Sequence, residues 1–420
     1  MCPLYFIFII FCLSLFILGL KDYKLISASI LFSLLNIPNF SPYYFTLVLS
    51  FLSFIFFFGY NTKNDYFKHF SIVSFLIIIF IISLNILASS RNHQLDELLT
   101  TIGKFLQAYF IICTLLAVVK IKGFKSTFFT LCLIFSISII MGYIQLFNLS
   151  YLLNIDYPFY ARFSFLAIPD SNYSGLYLIF FLCILSYLCQ IQKIDNFIFF
   201  NFLICLISII LTLSRTTFVV FFVIFFLHFY MSILHNPTFH TSNYFRIFFF
   251  FVLALFCIFI SIKLFFYDFL KPYINDYIRY TSDLNSSRLT GEIDTFKLRI
   301  EIWGHVLNNL SILDTIIGKG DIDIPQWNHY ISGNNITLHN LPITLLVKYG
   351  IIAPIIYIFF ILKITLKKIT KINNLQYLIM IIGIGYFLFT LTISDEVGFF
   401  LLIMIGFNFL IHTNKSTNLA

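Results

Sequence analysis

Apolar residues in this chain come in long, nearly unbroken stretches separated by short polar segments. The stretches run near 3–20, 25–37, 43–60, 69–88, 105–119, 127–147, 174–190, 196–213, 216–234, 245–267, 340–362, 375–393 and 398–412. About 20 apolar residues are needed to cross a bilayer at 1.5 Å per residue, and most of these stretches approach that length. Backbone polar groups in lipid must be satisfied within the segment itself, so each stretch predicts a helix. A membrane barrel would show ten-residue alternation instead, and none is present. The stretches 25–37 and 105–119 are short and 398–412 is marginal. The pattern predicts an all-α membrane protein, a polytopic bundle of about 12–13 transmembrane helices.

The polar interruptions add orientation. Lys120, Lys122 and Lys125 form one cluster, and Lys363, Lys367, Lys368 and Lys371 form another. Short-loop lysines mark the cytoplasmic side. Threading the spans from these two anchors puts Lys21, Lys24, Lys63, Lys68, Lys193 and Lys415 inside as well. The C-terminus is then inside and the N-terminus outside. The same threading puts six of the seven arginines (Arg91, Arg162, Arg215, Arg279, Arg288, Arg299) outside and only Arg246 inside. Two readings stand for this bias: ion pairing with nearby acids, or bidentate binding of phosphate by planar guanidinium groups.

One polar segment is far longer than the rest. Residues 1–267 and 340–420 are read as transmembrane regions, and 268–339 as a partly helical external (periplasmic) loop. The loop carries six basic and nine acidic residues. Within it, 291–310 predicts a helix opened by Thr290, with Glu292 and Asp294 in its first turn. Ile293, Phe296, Ile300, Trp303, Leu307 and Leu310 fall on one stripe, suited to the bundle's outer surface or to lipid headgroups. Ser311 and Asp314 make a capping-box pattern for a second short helix, stopped by Gly318 and Gly320.

Composition narrows the function classes. Sixty per cent of residues are apolar and 10 % are charged, far from the quarter charged of soluble domains. The net charge of +8 is spread over loops, so nucleic acid is not an expected partner. All eight cysteines lie in or beside apolar runs and read as small packed hydrophobes. The first run lacks a basic leader and is followed by Lys21 and Lys24, which predicts a retained span. With no acidic triad and no His/Cys cluster at ligand spacing, neither a metal site nor a cofactor is expected.

Candidate chemistry sits at the outer ends of spans. Leu213-Ser214-Arg215-Thr216-Thr217 interrupts an otherwise nearly continuous apolar stretch. Arg215 there is either a snorkelling anchor or an anion ligand at a helix N-terminus. Arg299 lies four residues before Trp303, so the two share a face and can stack. Arg288 lies just ahead of that helix; ion pairs with Glu292, Asp294 or Glu301 are the plain alternative. His339 and Asn340 open the next span, as a base with an orienting amide or as a polar end-cap. Trp327 can stack on a sugar face.

Taken together, Ser214-Arg215-Thr216 at an outer helix start, Arg299-x3-Trp303, Gly318-x-Gly320, and His339-Asn340 followed after nine residues by Gly350 resemble the O-antigen ligase and O-antigen polymerase superfamily. The motifs cover about residues 170–352. The resemblance implies a metal-independent inverting glycosyltransferase of the bacterial inner membrane, in lipopolysaccharide biosynthesis. It implies an undecaprenyl-diphosphate-linked oligosaccharide as donor, with membrane lipid and a chain-length regulator as further partners. Arg215 and Arg299 would hold the diphosphate, with Arg288 beside them, and His339 would activate the acceptor hydroxyl. Asn340, Trp303 and Trp327 would line the substrate. Ligases often carry Gly, Thr or Tyr three residues after the glycine that closes the spacer. Here Ala353 stands in that place, so the expectation is a polymerase, with a ligase as the alternative. From another class, a lipid-linked glycan flippase or secondary transporter would place ionisable residues at mid-membrane and show two related halves.

Overall fold

The computed structural model describes residues 3–37, 42–60, 76, 79, 83, 86–89, 95–146, 163–168, 171–191, 196–212, 214–235, 292–320, 338, 340–365 and 374–391. The chain divides into two compact units, Met1–Val223 with Asn309–Ala420, and Ile224–Asn308. Among the described residues there is no strand, only an isolated bridge between Phe165 and Ile168. The all-α expectation holds there.

Helices of the first unit follow the apolar stretches closely. They are α1 (Pro3–Gly19), α2 (Lys24–Asn36), α3 (Pro42–Tyr60), α4 (Leu95–Lys122), α5 (Phe124–Leu146), α6 (Ser171–Ile191) and α7 (Asn196–Leu211). Then come α8 (Arg215–His235), α9 (Glu292–Asn308), α10 (Ile312–Ile317), α11 (Leu341–Tyr349), α12 (Ile352–Thr365) and α13 (Asn374–Thr390). Helix α9 lies in the second unit, and α8 begins in the first and continues into the second. Lys125–Leu146 is 22 residues and apolar enough to cross a membrane by length and composition. Several other expected spans are shorter apolar helices, among them Lys24–Asn36 and Asn196–Leu211. Thirteen residues of α2 rise only about 20 Å, against a hydrocarbon core of about 30 Å. The expected runs 245–267 and 398–412 lie outside the described residues.

Large apolar side chains lie on the outside of the described helices as well as in their core. Phe6, Ile10 and Ile17 of α1, Phe51 and Ile55 of α3, Leu133 and Ile140 of α5, and Phe222 and Phe226 of α8 are exposed. Contiguous aliphatic and aromatic surface of this kind is what lipid covers. Among the apolar residues of the helix contacts inside, small polar ones bring backbones close and bond across helices. Ser29 Oγ donates to the Cys12 carbonyl at 2.8 Å, joining α2 to α1. Ser33 and Thr46 hydroxyls meet at 3.0 Å between α2 and α3, and Asn36 Nδ2 donates to Ser138 Oγ of α5 at 2.7 Å. Tyr143 and Ser208 join α5 to α7 at 3.0 Å, as do Ser136 and Asn201. Helix α2 packs against α1, α3, α4 and α5. Ile26, Ala28, Phe32 and Leu35 of this helix are all buried. Helix α13 returns to α6, where Phe180 stacks on Tyr386 with ring centroids 6.4 Å apart.

The two ends of this unit differ in chemistry. At one end Asp22 takes Lys24 at 3.3 Å and Lys122 at 3.6 Å, and the Lys122 ammonium also lies over the Tyr23 ring. Half-exposed pairs of this kind add little stability. They nonetheless bring together lysines that the topology assigned to one side from separate loops. At the other end, residues 163–168 tie the opposite helix termini into one layer. Phe163 N donates to the Leu211 carbonyl at the end of α7, and Ala167 N to the Leu35 carbonyl near the end of α2. Gly142 of α5 lies against Phe163 and Ser164, so closely that a Cβ there would collide with both.

Candidate functional site

The start of α8 is built from its cap outward. Ser214 Oγ accepts from Thr217 N at 3.3 Å, and the Ser214 carbonyl accepts from Phe218 N at 3.1 Å. Ser214 is therefore the N-cap and Arg215 the first helical residue. The cap is itself held: its hydroxyl also contacts Asn172 Oδ1 of α6 at 2.8 Å. Three residues after the cap, Thr217 sits against Gly175, where a Cβ would overlap its side chain. Helices α6 and α8 thus approach closely at this point, and Gly175 permits it. Nearby, Ser174 Oγ donates to the Ile168 carbonyl and accepts from Phe165 N. Thr217 Oγ1 and Ser164 Oγ are buried with no hydrogen-bond partner. Backbone N–H groups of a first helical turn have no partner within the helix, and the helix dipole adds partial positive charge. Arg215 is the first residue of that turn. An anion at this helix start would meet those N–H groups and the dipole.

The second part of the site joins motifs that lie thirty residues apart. Ser311 Oγ accepts from Asp314 N at 3.1 Å, and Asp314 Oδ2 accepts from Ser311 N at 3.2 Å, the reciprocal capping box the sequence predicted. Asp314 is buried and also pairs with Lys319 at 3.0 Å. Beyond the helix, Lys319 N donates to the Val347 carbonyl at 2.7 Å and Gly320 N to the Lys348 carbonyl at 3.0 Å. Ile351 N returns to the Thr315 carbonyl at 2.8 Å. The Gly318–Gly320 segment and the Gly350 break are therefore one interlocked piece.

Glycine is required in that piece. Gly318 has φ 83 and ψ 177, and Gly350 has φ 72 and ψ −176, a region essentially closed to L side chains. A Cβ on Gly318 would strike the Lys348 carbonyl, and one on Gly350 the Ile316 carbonyl. Gly320 presses likewise on Ser89. The stretch read as one span over 340–362 is accordingly two helices, α11 and α12, separated at Gly350.

Helix α11 fills the nine-residue spacer between His339-Asn340 and Gly350. Asn340 is its N-cap: Oδ1 accepts from Ile343 N at 3.1 Å, and its carbonyl accepts from Thr344 Oγ1 at 2.9 Å. The amide oxygen thus has a structural use.

The remaining candidates divide by location. Arg299 and Trp303 lie on α9 one turn apart, as predicted, and Trp303 is half-buried. The predicted apolar stripe of α9 is not its buried face. Ile300 and Leu307 are exposed, while Ile302 and Val306, on the opposite side, are buried. Helix α9 is apolar on both sides here, and periodicity alone does not tell the inward side from one left for lipid headgroups. Arg288, Trp327 and His339 lie outside the described residues. Arg215 and Asn340 belong to the first unit and Arg299 and Trp303 to the second. Sequence reading missed Asn172, Ser89 and the Asp314–Lys319 pair. Asn172 and Ser89 work through partners far along the chain, and Asp314 and Lys319 meet across a helix end five residues apart, so no helical spacing marks them.

Lipid-type surface outside, small polar contacts inside, a capped arginine at a helix start and a glycine-locked helix break define a helical membrane protein with its polar machinery gathered at helix ends. Residues 200–358 match the family model described as O-Antigen ligase, which supports the resemblance to the O-antigen ligase and polymerase superfamily over that segment. The matched segment contains all four motifs. No curated protein matches the chain. The family consists of integral membrane proteins of the bacterial inner membrane in lipopolysaccharide biosynthesis, with glycosyltransferase-like activity on lipid-linked glycan.

Proposed function

We propose that this chain is an O-antigen or polysaccharide polymerase. It joins undecaprenyl-diphosphate-linked repeat units at the periplasmic face, with a chain-length regulator as its partner. The observation that carries the reading is the location of all four motifs within the family match, two of them built as one interlocked piece. In the reaction, an acceptor sugar hydroxyl attacks the anomeric carbon of the donor and its proton passes to His339. The new C–O bond forms as the bond to the diphosphate breaks, and undecaprenyl diphosphate leaves with the electron pair. Attack opposite the leaving group inverts the anomeric centre. Arg215 and Arg299, with Arg288, hold the diphosphate as its charge develops, an electrostatic role that needs no metal. Trp303 and Trp327 offer stacking faces to sugar, and Asn340 fixes the start of the helix that follows His339.

Transfer of the glycan to lipid A-core is the second reading, favoured by the description of the matched family as a ligase. Against it stands Ala353, buried in the first turn of α12. Deleting the gene and running the cell's lipopolysaccharide on a gel separates the two. Core carrying a single repeat is expected for a lost polymerase. Bare core with accumulating lipid-linked glycan would mean ligase, and an unchanged ladder would overturn both.

A further inference from the structure

Helix α10 has two faces that demand different solvents. At about 100° per residue, Ile312, Leu313 and Ile316 fall within one arc and Asp314 lies opposite. Asp314 is 3 % exposed and engaged with Ser311 and Lys319. Ile312 is 83 % exposed, Leu313 51 % and Ile316 50 %. Three large aliphatic side chains in a six-residue helix thus face away from the protein, in a segment otherwise full of polar residues.

What covers them is indicated by the neighbouring helix. Ile351, just ahead of α12, and Ile355, Ile358, Phe359 and Leu362 within it are exposed and fall on one stripe, while Ala353, Tyr357 and Phe360 on the other side are buried. An exposed aliphatic stripe of this kind suits a lipid environment. The stripe's upper end is bonded directly to α10, through Ile351 N and the Thr315 carbonyl at 2.8 Å. The glycine interlock then holds α10 at the head of α12. Exposed aliphatic residues thus lie on both α10 and α12, whose ends the Ile351–Thr315 bond joins.

We propose that α10 is an interfacial foot, seated among the acyl chains of the membrane's phospholipid just below the headgroups. Amphipathic helices of this kind bury their apolar face about 5–10 Å into the headgroup boundary. The foot has a consequence for the glycine interlock. Through Gly318–Gly320 it ties the start of α12 to a fixed depth, and so sets the level of α11 and of its cap at Asn340. The inference rests on the chain spanning a membrane and is independent of which transfer it performs.

The test uses the full chain in vesicles of phosphatidylethanolamine and phosphatidylglycerol, with or without phosphatidylcholine brominated at carbons 6 and 7. No polyprenyl lipid is added. Ile312→Trp and, separately, Leu313→Trp add one indole to the two native ones. The added emission, taken as the difference from wild type, is expected to be blue-shifted. It should fall to roughly half or less in brominated lipid, while aqueous iodide leaves it nearly unchanged. Both positions are exposed, so the larger side chain meets no neighbour. Emission that brominated lipid leaves intact and iodide quenches would overturn the proposal. So would shielding from iodide that arises only when a polyprenyl diphosphate is added, because the face would then belong to the donor's tail.

Discussion

Arg215 illustrates what one residue contributes at a helix start. Ser214, Asn172 and Thr217 determine where α8 begins, so the arginine's position follows from contacts it does not itself make. A snorkelling anchor tolerates lysine, which reaches the interface equally well. A guanidinium that forks onto a diphosphate does not, because lysine cannot make the paired bonds. Arg215→Lys is expected to lower donor binding and transfer about 10–100-fold, which is ~1.5–3 kcal/mol of charge-assisted hydrogen bonding. His339→Ala is expected to leave donor binding intact and slow transfer by about 10²–10⁴. Binding of the lipid-linked donor and turnover, measured at matched membrane levels, check both. Normal transfer by either variant returns that residue to an anchoring or capping role.

At the scale of elements, the decisive feature is a break. The apolar pattern over 340–362 reads as one helix, and its interior glycine looked like part of a motif rather than a hinge. Carbonyls of Val347 and Lys348 instead take N–H donors from the 318–320 segment, and Gly350 adopts a backbone only glycine holds comfortably. Gly350→Ala is expected to cost about 1–3 kcal/mol from backbone strain alone, with the collision against Ile316 added to it. Gly103→Ala, in the middle of α4 with open space around the new Cβ, should stabilise by about 0.4–1 kcal/mol. Thermal unfolding of the two variants in detergent gives the comparison, and equal midpoints would refute the interlock. Lys319→Met removes the partner of buried Asp314 and should cost about 1–3 kcal/mol, with Lys319→Arg restoring most of it.

For the whole molecule, sidedness is the central expectation. Lysines from two loops converge on Asp22 at one end, and the 163–168 layer closes the other. If the lysine end faces the cytoplasm, cysteine at Ser287 should react with an impermeant thiol reagent outside spheroplasts. Cysteine at Thr370 should not, in each case measured against the parent chain. The reverse labelling would invert the assignment and remove the case for periplasmic arginines. Transfer with purified lipid-linked substrate should also survive EDTA nearly unchanged; activity that returns only with Mg²⁺ or Mn²⁺ would end the metal-independent mechanism.

Helix type, most helix limits, the Ser311–Asp314 cap and the motif order were legible in the sequence by itself. The reason is physical: helical hydrogen bonds and caps join residues three or four apart, and lipid forces each apolar run to satisfy its own backbone. The buried face of α9, the division at Gly350 and the partners of Ser214 and Lys319 were decided only by the tertiary structure. Those contacts join residues from five to over forty positions apart, or choose between two apolar faces of equal period. Nothing local distinguishes such choices, because their energy comes from neighbours that packing alone supplies.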